Sequence, residues 1–280
     1  MESLIEYFTN IPSSHRSAII VGGLTIFFII ENSIPLFKSS YNKWKHSGLN
    51  IFFTLTSILV NFSMAFVLVS AASWVETSQI GMLQMIDMNV YMTIIIGLVF
   101  MDLFSSYAPH WIEHHIKWMW KFHLIHHTDL HVDTTTANRH HPGESVIRFV
   151  FTTIAVIIMG APMWLVFMYQ SLSVVLTQFN HSNIKMPSWL DNALVLVFCT
   201  PNMHRVHHHY RQPYSDKNYG NIFSIWDRLF GTYIKVDNTK LRYGIDTHME
   251  LNEANEIGAL LKIPFQKYRQ PISYPTEEKL

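Results

Sequence analysis

Residues Asp102–His127, DLFSSYAPHWIEHHIKWMWKFHLIHH, decide how this chain is read. Six of the last 18 residues are histidine, at 110, 114, 115, 123, 126 and 127. Positions three and four apart are neighbours on a helix, so His110 and His114 share one face and His123, His126 and His127 another. The apolar run before them, about 91–108, is long enough to be a span and carries Asp102 near its end. The stretch therefore reads as a membrane helix running directly into a histidine-lined end. A second HxxHH recurs far downstream as His204, His207 and His208. Two separated copies of one ligand-like spacing point to a shared metal centre.

Composition agrees with a membrane location. Hydrophobic residues make up 49% of the 280 and charged residues only 14%, against roughly 25% charged in a soluble domain. Lys plus Arg balances Asp plus Glu at 20 each, so net charge gives no argument for nucleic acid as a partner. The single cysteine, Cys199, excludes an intramolecular disulfide and a cysteine-held iron–sulfur cluster. No signal peptide is expected, because the first apolar run begins only near Ser17, after a polar stretch, and is too long for a cleaved segment.

Taken in order, 1–16 read as a short polar or interfacial segment, and 17–37 and 50–72 as the first two spans. Glu31 inside the first span is either an interfacial acid or one facing the bundle. The loop at 38–47 carries Lys38, Lys43 and Lys45, whereas 73–90 has no Lys or Arg. Positive-inside bias then puts the histidine region in the cytoplasm and the N-terminus outside. Residues 146–179 are one apolar block broken by Gly160-Ala161-Pro162. A single crossing there would separate the two HxxHH boxes by the membrane, so the break predicts a hairpin that returns the chain to the same side. Residues 189–200 are too short to span and are expected at the interface or against the bundle. From Pro201 the chain reads as a cytoplasmic cap, with a loose tail, RQPISYPTEEKL. The predicted fold is an all-α integral membrane bundle, three spans plus a helical hairpin, under a cytoplasmic histidine-rich cap. Its divisions are N-terminal spans over 17–109, a catalytic region over 95–235 and a C-terminal tail over 236–280, all in one membrane domain.

Fourteen of the 17 histidines lie between 110 and 209, while His15, His46 and His248 read as ordinary surface residues. Imidazole suits iron, zinc, copper and nickel alike. The three boxes offer eight ligands, more than the roughly four of a mononuclear zinc site and enough for two ions. His181, isolated where the hairpin returns, is placed to close the centre. His141 stands between ligand and bystander; His115, His131, His140 and His209 read as surface or supporting residues. Asp102 could orient a ligand from behind, as acceptors commonly do for liganding histidines, or could be an interfacial acid. HxxEH at His110–His114 matches an inverted zinc-peptidase signature, but leaves both HxxHH boxes unexplained. His141-Pro-Gly-Glu144 lacks the second glycine of a haem-binding HPGG. A metal transporter would place its site near mid-membrane, not at the ends of the spans.

The set Asp102…Tyr107…HxxxH, WxWxFHxxHHT (118–128), TTxxRxHPxE (135–144) and HxxHHH (204–209) with DxNYGNxxxxWDRLFGTY (216–233) resembles the fatty acid hydroxylase/sterol desaturase superfamily over about 95–235. The resemblance implies a membrane-embedded di-iron enzyme that uses O2 to hydroxylate or desaturate a C–H bond of a lipid. It selects His110, His114, His123, His126, His127, His181, His204, His207 and His208 as metal ligands, with His141 a further one, and no catalytic residue beyond them. Two iron ions are the implied cofactor, with zinc a possible substitute. A sterol, fatty acyl chain, carotenoid, ether lipid or ceramide satisfies these residues equally. Trp111, where family members commonly have Arg, and Thr177, where some fatty acyl hydroxylases have a histidine, depart from the pattern. With no GxGxxG, no CxxCH and one cysteine, electrons are expected from an external cytochrome, ferredoxin or flavoprotein. Arg205, Arg211, Lys217 and Arg228 offer either a docking surface for that donor or a plain basic patch. The expected location is multi-pass, in a bacterial inner membrane or the endoplasmic reticulum, with the site facing the cytoplasm.

Overall fold

The first two helices already depart from the bounds read from hydropathy. In the computed structural model, which describes residues 2–38 and 41–272, the polar start forms helix α1 (Glu2–Thr9), and α2 (Ser13–Ser33) begins earlier than the apolar run. Helix α3 (Lys43–Ser78) is 36 residues long. Helix α4 (Val90–Asp102) continues through a π-helical turn, Leu103–Tyr107, into α5 (Ala108–His115), followed by α6 (Lys117–His127), α7 (Pro142–Met159) and α8 (Met163–His181). Beyond these come the short helices α9 (Ser188–Leu194), α10 (Pro201–His207), α11 (Ile225–Leu229), α12 (Leu251–Asn255) and α13 (Ile257–Lys262). Among the described residues there are isolated β-bridges but no strand. The expected loose tail falls mostly on 273–280, outside the described residues; Arg269 at its start is ion-paired to Glu253 at 2.6 Å.

Among the described residues, four helices are long and apolar enough to cross a membrane: Ser13–Ser33, Lys43–Ser78, Val90–His115 and Pro142–Met159. At about 1.5 Å per residue, α3 exceeds the ~30 Å hydrocarbon thickness. Its sequence divides it accordingly. His46, Leu49, Asn50 and Phe53 near its start are buried, whereas Leu55, Leu59, Phe62 and Phe66 are exposed by 61–80%. These four recur every three or four residues and make one apolar face. In water such a stripe would drive association; against acyl chains it needs no cover. Asn42 and Asn89 start α3 and α4 by accepting the N–H groups of Lys45 and Met92, which supplies the free helix-end donors with partners.

The chain turns back between α7 and α8 as the sequence predicts. Gly160 ends α7 at φ 65°, Ala161 N–H donates to Val156 O, and Pro162 opens α8. The two helices nevertheless splay rather than pack along each other: α7 lies on α3, α8 on α2, and α4 touches both. A core of Leu68, Ala72, Met101, Phe149, Val156, Met159, Leu165 and Tyr169 fills the space between them. At the turn, Gly81 and Gly160 are in backbone contact, with Met82 N–H donating to Ile158 O (3.0 Å) and Leu83 N–H to Met159 O (2.8 Å). A Cβ at Gly160 would meet the Ile80 carbonyl oxygen. Gly160→Ala is therefore expected to lower stability by about 2 kcal/mol or more, from left-handed strain plus the clash. Gly258→Ala, in open helical space, should be neutral or slightly stabilising. Thermal unfolding in detergent compares the two, and equal midpoints would rule out the pinned turn.

At the opposite end, polar groups inside the spans tie the helices to the loops. Glu31 is fully buried, paired with Lys43 Nζ at 2.8 Å, and accepts the Thr134 and Asn183 N–H groups. That resolves the two readings of Glu31 toward the bundle. His46 corrects a sequence expectation: it is buried, with Asp129 at 2.8 Å and Asp133 at 3.1 Å. His248 is buried as well. Hydropathy scores cannot see this, because a histidine between two buried acids and a solvated one have the same local sequence. Arg139 joins Asn50, Ile125 O and Thr128, and Thr136 bonds Asp129. The turn Thr134–Asn138 is thereby fixed against the end of α6.

Candidate metal centre

Five elements deliver histidines to this end of the bundle: α5, α6, the last residue of α8, α10 and the residue just after it. His110, His114, His123, His127 and His207 each offer a ring nitrogen, all within 4.8 Å of one another. His126, His181, His204 and His208 form a second group by the same measure. These are the nine residues that the family resemblance selects. The division within each box is not the one that helical spacing predicts. His123 and His127, four apart, go to the first group while His126 goes to the second. In the other box His204 and His208 join the second group and His207 the first. The two HxxHH boxes are thus used in opposite senses, each giving a pair to one group and a single ligand to its neighbour. On a helix, i and i+4 lie 40° apart and i+3 lies 60° to the other side, enough to aim a short imidazole elsewhere.

The tautomers are fixed from behind. His110 Nδ1–H donates to Tyr219 O (2.9 Å), His123 Nδ1–H to Glu144 Oε1 (2.7 Å) and His207 Nδ1–H to Lys217 O (2.8 Å). His114 Nδ1–H donates to Asp216 Oδ1 (3.0 Å) and His181 Nδ1–H to Thr177 O (2.8 Å) and Asn180 Oδ1 (2.6 Å). Carbonyl and carboxylate oxygens only accept, so the proton sits on Nδ1 and Nε2 keeps a bare lone pair. Yet His110 Nε2 and His123 Nε2 lie 3.1 Å apart. Two lone pairs at that distance repel unless a cation lies between the rings. The Nε2 atoms of His114, His207 and His208 are buried without a partner. Burial pushes His123 and His204 down to about 3. Burial, with neighbouring imidazoles adding to it, holds His126, His127, His207 and His208 well below the ordinary value. Neutral, oriented and inward-facing imidazoles are the donor set a divalent transition metal requires. Their chemistry fits such ions, and two groups of five and four fit two of them.

The supporting acceptors come largely from one loop. Asp216, Lys217 and Tyr219 receive three first-group Nδ1–H groups. Asn218, at φ 56°, accepts from Ile234 N–H and donates to Met203 O. Asp227 accepts the N–H groups of Tyr219 and Gly220, each at 2.8 Å. Asp102 does not reach a histidine: it accepts from Ile222 and Phe223 N–H, each at 3.2 Å, and so fastens this loop to the end of α4. Sequence reading quoted the 216–233 motif without assigning these roles, and it missed Glu144. The usable signal was an acid inside each of two quoted motifs, Glu144 in 135–144 and Asp216 in 216–233.

The remaining predicted residues fall outside the two groups. His141 is not brought to them; it caps α7, with its Nδ1 accepting from Gly143 N–H at 2.9 Å. Its neighbour His140 stacks on His126 at 4.7 Å and donates to Glu144. His115 stacks on Trp111, away from the centre. His131 stacks on Tyr41 and His209 packs against Tyr214. Glu113, the acid of the inverted peptidase reading, is ion-paired with Arg148 at 2.7 Å, and the two histidines of that motif join three others in the first group. The basic cluster read at 205, 211, 217 and 228 is corrected at two positions, while Lys217 is half-buried and Arg228 exposed. Arg205 is fully buried and bonded to Pro201 O and Ile184 O, and Arg211 is buried.

Residues 94–232 match the fatty acid hydroxylase family. The chain is 28% identical over 140 residues to an ornithine lipid hydroxylase of Rhizobium tropici, covering 50% of this chain and 41% of that one. It is 36% identical over 144 residues to an alkylglycerol monooxygenase of Caenorhabditis elegans, covering 50% and 27%. A putative methylsterol monooxygenase of Dictyostelium discoideum is 25% identical over 217 residues, covering 75% and 79%. The chain thus spans less than half the length of the first two relatives. No solved structure matches it.

Proposed function

We propose, from the premise that this chain belongs through residues 94–232 to the fatty acid hydroxylase family, that it is a membrane-bound, O2-dependent lipid hydroxylase with a non-haem di-iron centre. The observation that carries the reading is the convergence of nine histidines into two groups, five of them with the Nδ1 proton tied up behind the ring. The relatives named for lipid hydroxylation and monooxygenation support a lipid as substrate. Bound iron would supply activation of O2 toward an unreactive C–H bond, with two electrons from a separate cytochrome, ferredoxin or flavoprotein. The balance is one C–H and one O2, with two electrons and two protons, giving one C–OH and one water.

The chain's own work is positional. The Nδ1–H bonds to Glu144, Asp216, Thr177 O, Lys217 O and Tyr219 O hold five rings in place. The spans beneath keep water from the lipid and give it an apolar route between helices. Lys43, Lys117 and Lys121 at the histidine end, against a far loop without Lys or Arg, support a cytoplasmic site. In the test, lipid extracts from cells with and without the protein are compared by mass spectrometry, together with metal analysis of the purified chain. A lipid gaining one oxygen atom only in air, with about two irons per chain, is the expected result. One zinc per chain with unchanged lipids, or metal flux in vesicles, would refute the reading.

A further inference from the structure

Apart from the histidine groups, the structure contains a cavity of 530 Å³ between the loop after α2 and the segment around 241–251. Small-molecule sites span roughly 300–1,000 Å³. None of the nine clustered histidines lines it, so it is a separate feature of the cap. Its lining is mixed: Phe37, Val132, Leu241 and Met249 supply apolar surface, with Tyr41, His131, Asn183 and Tyr243 set among them. Its charge is one-sided: Lys38 and Arg242 line it, and among the described residues no Asp or Glu does. Both cations are exposed, and among the described residues neither has an ion pair of its own.

The wall is built in advance. Tyr41 stacks on His131 at 4.1 Å and donates from Oη to Asp133 at 2.8 Å. Asn183 holds both sides of the Phe37 peptide, accepting from its N–H at 3.1 Å and donating to its carbonyl at 2.7 Å. The location adds an argument about the ligand. Phe37 and Lys38 follow within five residues of the end of α2 at Ser33, where the span gives way to the cap. Exposed apolar side chains stand nearby, Ile34 and Leu251 among them. Basic side chains at that level meet the headgroup layer, where anionic lipids concentrate.

We propose that this cavity binds an anionic lipid taken from the membrane surface, its phosphate between Lys38 and Arg242 and its first carbons against Phe37, Leu241 and Met249. The site works by charge complementarity and apolar contact, needs no metal, and stands whether or not the histidine centre oxidises lipid. The probes are lysophosphatidic acid, the monoacylglycerol with the same acyl chain, and inorganic phosphate, each titrated against the full chain in neutral detergent. Lysophosphatidic acid should bind at least about tenfold tighter than the monoacylglycerol, since a charge-assisted contact contributes roughly that factor or more. Inorganic phosphate, lacking the chain, should not displace it at comparable concentration. Lys38→Ala with Arg242→Ala, both at the surface, should abolish the preference and leave monoacylglycerol binding unchanged. Met249→Trp, which fills the cavity, should weaken both lipids. Equal affinity for the two lipids, displacement by inorganic phosphate, or an unchanged preference in the double variant would each overturn the proposal.

Discussion

A chain carrying His207→Ala is expected to lose lipid oxidation to below detection and to fall from about two bound metal ions to about one. The ring sits at the centre of the first group, its centroid 4.5 Å from that of His110, 4.6 Å from His127 and 4.7 Å from His114. Its Nδ1–H is committed to Lys217 O, so Nε2 has no role except toward the group. Alanine removes that donor and leaves a gap that His110 and His114, held by their own Nδ1–H bonds, cannot turn to fill. The second group keeps all four of its histidines, which is why the loss should stop near one ion. His208→Ala should give the mirror result, one ion lost from the other group. His115→Ala should change neither metal content nor activity, since that ring lies on Trp111 outside the centre. Metal analysis and the oxygen-dependent lipid assay read all three variants. A His207→Ala chain that keeps its metal and its product would remove the first group from the reaction.

How much of this was legible beforehand differs between levels. Eight of the nine clustered histidines stand in boxes that repeated spacing picks out, and spacing is a one-dimensional property; His181 came from its place at the hairpin's return and from the family resemblance. The return of the chain at Gly160-Ala161-Pro162 was legible too, since a left-handed glycine followed by proline stops one helix and starts the next. The exchange of partners between boxes was not. It depends on how α6 and α10 face each other, and no periodicity within either helix carries that. His46 and Arg205 failed for a related reason, and for the same reason the two readings of Glu31 stayed open. Each is a charged or polar residue whose partner is distant in the chain, Asp129 for His46 and Thr134 and Asn183 for Glu31. Composition assigns such residues to the surface, while the fold supplies the partner that lets them be buried. His141 fell the other way. Its position before Pro142 made it a helix cap, a local use that puts the ring's lone pair on Nδ1 and its proton on Nε2, the reverse of the tautomer held by His110, His123 and His207.

Glu144 is where removing one side chain should separate support from ligation. Its Oε1 accepts from His123 Nδ1 at 2.7 Å, His140 Nδ1 at 2.8 Å and Arg148 Nε at 2.9 Å, with all of its side chain buried. Arg148 in turn pairs with Glu113. Glu144→Ala removes one partner of a buried ion pair, which typically costs about 3–5 kcal/mol. It also frees His123 to rotate. Glu144→Gln isolates the second effect: the amide has nearly the same shape, and Arg148 keeps Glu113. A neutral oxygen is nevertheless a weaker acceptor for three donors at once, and the amide NH2 has no acceptor among them. Glu144→Gln is therefore expected to lose about 10- to 100-fold in metal affinity, the usual effect of disturbing a group behind a ligand, with a smaller loss of stability than alanine. Competition against a chelator measures the first and thermal unfolding of the metal-free chain the second. Wild-type affinity in Glu144→Gln would mean that the packing of α6 alone orients His123. A loss confined to stability would assign Glu144 to holding α7 in place rather than to the centre.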